Sequence, residues 1–136
     1  MLKDKIAVLT GSSGGIGKAI AIAMAQKGAK VVVNYSSSEE EALEAVKEIK
    51  KYSDGIAIKA NVASESDMQN LIDVTIDTFG RLDIMVCNAG IQVDSPFLKM
   101  DLTQWQKVID VNLTGQFIAM NLAAKQFMKQ ETVKGQ

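Results

Sequence analysis

The 136-residue sequence has no histidine, one cysteine and one proline. The missing histidine removes the usual general base, the Ser–His–Asp arrangement and imidazole metal ligation. One thiol, Cys87, excludes an intramolecular disulfide and any multi-cysteine zinc site, so no metal is expected. The same cysteine count is compatible with a reducing cytoplasm, the expected location. No apolar run approaches the ~20 residues of a membrane-spanning helix. The N-terminal stretch 1–11 runs straight into glycine and serine and lacks the pattern of a secretory signal. A net charge of −1 gives no basic footprint for nucleic acid.

What is present fits one folded domain over 1–136. Hydrophobic residues make up 47% and charged residues 23%, the balance of a globular chain rather than a disordered one. A chain of this length buries roughly two thirds of its unfolded surface. The sequence is organised around Lys5 to Gly17, an apolar run followed by a glycine-rich turn and then a helical pattern over 18–27. Ile6 to Leu9 read as a strand covered on both faces. Ile16, Ile20, Ala23 and Met24 fall on one side of the helix, which Gly28 ends. A second strand is expected at 30–34. Ser38 and Glu41 have capping-box spacing before a helix carrying Leu43, Val46 and Ile49. A third strand spans 55–60. Ser64 and Asp67 again have cap spacing, ahead of a helix with Met68, Leu71, Ile72, Thr75, Ile76 and Phe79 on one face. A fourth strand covers 82–86. After a loop at 91–100, Asp101 and Gln104 mark a helix with Trp105 and Val108. A second helix, 113–128, places Phe117, Met120 and Ala124 along one side. Asn112 lies between the two, and 131–136 read as a polar loop. Strands alternating with helices imply right-handed crossovers and a parallel α/β sheet.

The glycine-rich turn has a physical reading. Gly11, Gly15 and Gly17 stand where a tight turn, close approach to phosphate and helix–strand packing would each exclude a Cβ. The following helix start aims N–H groups and its positive dipole end at the turn. Ser12 and Ser13 offer hydroxyl donors. A turn that only packs a helix is the competing reading.

The spacing Thr10-Gly11-x-x-x-Gly15-Ile16-Gly17 resembles the T-G-x-x-x-G-x-G of classical short-chain dehydrogenases/reductases. Cys87-Asn88-Ala89-Gly90 resembles the family's N-N-A-G with one departure, and Val111-Asn112-Leu113-Thr114-Gly115 resembles a third motif. The likeness covers essentially the whole chain but only the N-terminal part of the family pattern. The second strand and helix, VVVNY followed by EEEA, are similar to the glucose 1-dehydrogenase and 3-oxoacyl-carrier-protein reductase branches.

The resemblance implies a Rossmann-like sheet of order 3-2-1-4 with helices on both faces, and a nicotinamide dinucleotide at the turn. It implies that Thr10 ties the first strand to the turn after the fourth, that Asn88 locks the sheet, and that Ala89 and Gly90 let the cofactor lie close. Asn61-Val62 matches the family's D-V or D-L. The Asn61 amide oxygen can still accept from adenine, or the residue simply favours a turn. At the end of the second strand, Asn34-Tyr35-Ser36 carries no acid. NADP is therefore expected ahead of NAD, with both usable, and Ser36, Ser37 and Ser38 as donors. The plain alternative is a loop and cap. Cys87 is expected to be a small buried apolar residue.

The family's catalytic serine and Tyr-x-x-x-Lys have no counterpart here. Four residues after Tyr35 and Tyr52 stand Glu39 and Ile56. Asn112 alone maps to the proton-relay set, where the family's backbone holds a water. A helix break or cap is the favoured reading for it. Hydride transfer between nicotinamide and an alcohol or ketone is the family's reaction, and this chain alone is expected not to perform it. A non-catalytic nucleotide-binding or interaction module is the alternative. Either would join a second copy or full-length relatives through the helices near 101–128. The fourth strand is expected at an exposed edge, and Phe117, Met120 and Phe127 in an exposed patch.

Overall fold

In the computed structural model, which describes residues 1–130, four parallel strands form one sheet. They are β1 (Ile6–Leu9), β2 (Lys30–Tyr35), β3 (Gly55–Lys59) and β4 (Ile84–Val86), in the order β3-β2-β1-β4. The register pairs Val8 with Val32 and with Met85, and Val33 with Ala57. The expected order is the observed one. The expected polar loop at 131–136 lies outside the described residues.

Alternation along each strand sends side chains to two cores. On one face Ala7, Leu9, Val31, Val33 and Tyr35 pack against α1 (Gly15–Gln26) and α2 (Glu39–Ile49). On the other, Val8, Val32 and Ile58 pack against α3 (Glu65–Phe79) and α5 (Gly115–Lys129). Burial on both faces explains why the strands are apolar runs rather than alternating ones. Helix α4 (Leu102–Ile109) follows a 3-10 turn at Phe97–Lys99.

Several helix expectations need correction. Helix α1 buries Gly17, Ala21 and Ala25, with Ile20 and Met24 of the expected side partly buried against the same core and Ile16 and Ala23 exposed. Small residues win that face because the helix lies close on the sheet. Ile16 is left 76% exposed at the turn. In α2 the buried face is Ala42, Ala45, Val46 and Ile49, and Leu43 points outward. The Ser38 side chain makes no cap hydrogen bond; at φ −94° and ψ 69° its backbone is away from the extended geometry that N-cap residues adopt. Ser64 does cap α3, accepting from the Asp67 N–H at 3.2 Å. Asp101 and Gln104 form a reciprocal capping box on α4, with bonds of 2.8 and 3.0 Å.

The expected break at Asn112 is absent. Helix α4 passes into a single π turn, Asp110–Thr114, and continues as α5 with helical backbone throughout. Asn112 neither breaks nor caps a helix.

Among the described residues, strand β4 forms one sheet edge and pairs with β1 only. Helix α5 buries Gly115, Ile118, Ala119, Leu122 and Ala123. Its other side leaves Phe117 63% and Met120 57% exposed, along with Phe127, Met128 and, on α4, Leu102 and Trp105. Such a surface favours association. Replacing Phe117 and Met120 with glutamine should leave the helical circular dichroism intact and shift sedimentation velocity profiles toward the monomer. An unchanged distribution would show that this side does not drive association.

Candidate functional site

A cleft of about 1030 Å³ opens over the carboxyl ends of the strands. Its lining includes Gly11, Asn34, Ser36, Asn61, Val62, Asn88, Ala89, Gly90 and Ile91, with Thr103, Lys107 and Val111 on the helical side. This is where open α/β sheets bind ligands, beside the point at which the strand order reverses. Of the residues singled out from sequence, the cleft gathers Gly11, Asn34, Ser36, Asn61, Val62, Asn88, Ala89 and Gly90. Ser12, Ser13, Gly15, Ile16, Gly17 and Asn112 are outside its lining.

The three glycines of the turn act for different reasons. Gly11 has φ +60°, and a Cβ there would lie 2.8 Å from the Ala89 Cα. At Gly17 a Cβ would lie 2.5 Å from the Asn88 amide nitrogen and 2.6 Å from the Gly11 carbonyl oxygen. Gly15, with φ +56°, faces open space. Two glycines therefore serve packing, and the third leaves the helix start uncovered. Helix α1 has no side-chain cap and no acidic residue in its first turn. Its N–H groups and positive dipole end remain available to an anion.

Beneath the turn the polar side chains are spent on backbone. The Thr10 hydroxyl accepts from the Asn88 and Ala89 N–H groups, both at 3.0 Å. Asn88 donates to the Thr10 and Gly11 carbonyls at 3.2 and 3.0 Å. These bonds join β1 to the turn after β4, in the role expected of both residues. Asn34 is 2% exposed. Its amide oxygen accepts from the Gly11 N–H at 3.0 Å, and its amide nitrogen donates to the Ala60 carbonyl at 3.1 Å and the Ile58 carbonyl at 3.4 Å. A carboxylate could not make the donated bonds. An acid at position 34 would lose these bonds, and the amide of Asn34 is already engaged with backbone.

Ser12 also departs from expectation. It is fully buried, donates to the Leu9 carbonyl at 2.7 Å and accepts from the Asn34 N–H at 3.3 Å. Its hydroxyl proton is committed inward and is not offered to an anion. Ser13 is half-buried and Ser36 exposed.

At the far end, the Asn61 amide oxygen accepts from the Ala63 N–H at 3.0 Å, an Asx turn, and keeps a second lone pair. Both readings of Asn61 are therefore compatible in one side chain. The Asp67 carboxylate fixes its backbone by accepting from the Asn61 N–H at 2.9 Å. Val62 is buried against Gly115, where a Cβ would lie 2.9 Å from a Val62 methyl.

The π turn gives Asn112 a definite job. Its amide exchanges two 2.8 Å bonds with the Ile91 backbone, donating to the carbonyl and accepting from the N–H. Gln116 donates to the Ala89 carbonyl at 2.8 Å. Sequence reading missed Gln116, and it named Asp67 only for its cap spacing with Ser64 and Gly115 only as the end of the third motif. Their further roles depend on spacing from Asn112 and Asn61, which has no meaning before the π turn and the Asx turn are known. Cys87 is half-buried and packs against the α3–α5 core, and burial pushes its thiol pKa up. It behaves as a small apolar residue.

Replacing Thr10 with valine keeps the shape but leaves two N–H groups without their acceptor. Stability should fall by about 1–3 kcal/mol in urea denaturation. A change under about 0.5 kcal/mol would show that water replaces the hydroxyl.

Comparison with known proteins agrees with this geometry. Residues 5–135 match the family model described as short chain dehydrogenase. A 3-oxoacyl-[acyl-carrier-protein] reductase of Synechocystis sp. is 46% identical over 132 residues, covering 96% of this chain and 53% of the relative. A short-chain type dehydrogenase/reductase from Mycobacterium marinum superposes with a TM-score of 0.90 at 34% identity, covering 95% of this chain and 52% of that one. A short chain dehydrogenase from Burkholderia cenocepacia J2315, solved in complex with NADP, superposes with a TM-score of 0.88 at 36% identity, covering 92% and 51%. The chain thus spans about half the length of these relatives, and over that span it belongs to the short-chain dehydrogenase family.

Proposed function

We propose that this chain is the cofactor-binding part of an NAD(P)-dependent oxidoreductase, taking NADP ahead of NAD. The observation that carries the reading is the uncapped start of α1 behind Gly15, with no acid in its own first turn, which opens to solvent beside Gly11 and the Asn88–Gly90 turn. A dinucleotide fits these residues. Gly15, Ile16 and Gly17 present N–H groups to a pyrophosphate, with Ser13 nearby. Asn61 and Val62 offer an acceptor and an apolar wall to adenine. Ser36 offers a hydroxyl to a 2′-phosphate. Asn88, Ala89 and Gly90 form the floor, held by Thr10, Gln116 and Asn112.

Once bound, the nicotinamide would exchange hydride with an alcohol or ketone. No serine with Tyr-x-x-x-Lys stands in residues 1–136 to move the accompanying proton. Asn112 is the one relay position present, and its side chain is committed to Ile91. The chain alone therefore binds without turnover. The resemblance to the NADP-bound Burkholderia protein supports the cofactor assignment. A reducing cytoplasm suits the single, shielded thiol.

A second reading rests on the exposed apolar side of α4 and α5. On it the chain is a non-catalytic nucleotide-binding module that associates with a second copy or with full-length relatives through residues 101–128. Co-purification with such a relative would favour it.

Titration with NADPH should enhance and blue-shift the nicotinamide fluorescence, while alcohol-dependent reduction of NADP stays at background. Absence of any fluorescence change at millimolar NADPH would refute the binding reading. Measurable turnover would refute the separation of binding from chemistry.

A further inference from the structure

The capping-box spacing of Ser38 and Glu41 is not used as a cap. Glu41 lies instead toward the phosphate turn, with a carboxylate oxygen 3.5 Å from where a Cβ on Gly14 would stand. Gly14 is the N-cap of α1, and Glu41 is in the first turn of α2. Ser37 and Ser38 separate that turn from Ser36, the exposed residue at the β2 end of the cleft. The Glu41 carboxylate therefore stands beside the N-cap of α1, just outside the cleft lining itself.

We propose that Glu41 is a specificity-determining residue, an acid supplied by α2 rather than by the strand end, which limits preference for a 2′-phosphorylated dinucleotide. The proposal rests on the cofactor reading above. Three features support it. The Asn34 amide is committed to backbone groups, so it sets no charge at the ribose. The cleft lining contributes one cation among the described residues, Lys107, and that residue is on α4 rather than on β2 or α2. Glu39, Glu40 and Glu41 all lie in the first turn of α2, so the positive end of that helix is offset by its own side chains. A 2′-phosphate arriving beside Ser36 meets hydroxyls and a nearby negative charge. A ribose hydroxyl meets an acceptor.

The test uses the full chain with NADPH and NADH, each titrated by nicotinamide fluorescence. The variants are Glu41→Gln, Glu41→Lys and, as a control on the same helical turn, Glu40→Gln. Glu41→Gln should raise the NADPH-to-NADH affinity ratio roughly three- to tenfold, and Glu41→Lys should raise it further. The gain should shrink in about 0.5 M salt, because the carboxylate is exposed. Glu40→Gln should leave the ratio within about twofold. The proposal is overturned if both Glu41 variants keep the wild-type ratio, or if Glu40→Gln matches Glu41→Gln. Failure of the unmodified chain to bind either nucleotide would instead overturn the cofactor reading and this inference with it. Binding with an unaltered ratio would overturn this inference alone.

Discussion

The site depends on bringing three backbone segments to within contact of one another at the carboxyl end of the sheet. Residues 10–12, 34–35 and 88–91 each carry unpaired peptide groups where regular pairing stops. Buried without partners, each group would cost about 1–3 kcal/mol. Six side chains prevent that. Thr10 serves two N–H groups, Asn88 two carbonyls, Asn34 an N–H and the carbonyls of Ile58 and Ala60, Ser12 a carbonyl and an N–H, Asn112 the Ile91 N–H and carbonyl, and Gln116 the Ala89 carbonyl. No buried side-chain nitrogen or oxygen among the described residues lacks a partner. The glycines make the approach sterically possible, and these polar side chains make it energetically acceptable.

That division explains which residues face a ligand. Ser12 looks like a donor to a phosphate when read along the chain, whereas Thr10 and Asn88 read as ties between backbone segments. In three dimensions all three bond protein backbone, which leaves the peptide N–H groups and dipole of the α1 start as the features open to an anion. A site built this way is preorganised, because its donors are fixed by the fold rather than by side-chain rotamers. It also explains why the π turn matters. The extra residue in that turn carries Asn112 against Ile91 and continues into α5, where Gln116 reaches Ala89. The floor of the cleft is thereby held from both sides, by β1 and by α5.

Much of the fold was legible because its signals are local. Apolar runs bounded by glycine, and the Ser64 and Asp101 caps, depend on residues a few positions apart. The motifs at 10–17, 87–90 and 111–115 pointed toward the candidate cleft for the same reason, although only some of their residues line it. What escaped sequence reading depends on partners far away in the chain. The inward turn of Ser12 is set by Leu9 and Asn34. The continuity of α4 and α5 is set by a hydrogen-bonding pattern that no residue type announces. The narrow face of α1 follows from its closeness to the sheet, which favours Ala21 and Ala25 over larger neighbours. Glu41 has the spacing of a cap, and only the backbone angles of Ser38 reveal that it is released for another position.

The polar architecture and the apolar architecture of the molecule differ in completeness. Every bond that shapes the cleft runs between residues 9 and 116, so the grip is assembled within the described residues. The apolar surface is not closed in the same way. Helix α5 is buried on the side carrying Ile118 and Leu122, while Phe117 and Met120 face outward, and among the described residues β4 has one neighbour. Helix α5 meets the floor of the cleft through Gly115 and Gln116 and the outside through Phe117 and Met120. Gln116 and Met120 stand four residues apart and are neighbours on the helix surface, so the bond that holds the cleft floor borders the exposed apolar side. Any contact that covers Met120 therefore lies next to the Gln116–Ala89 bond rather than on the opposite side of the helix.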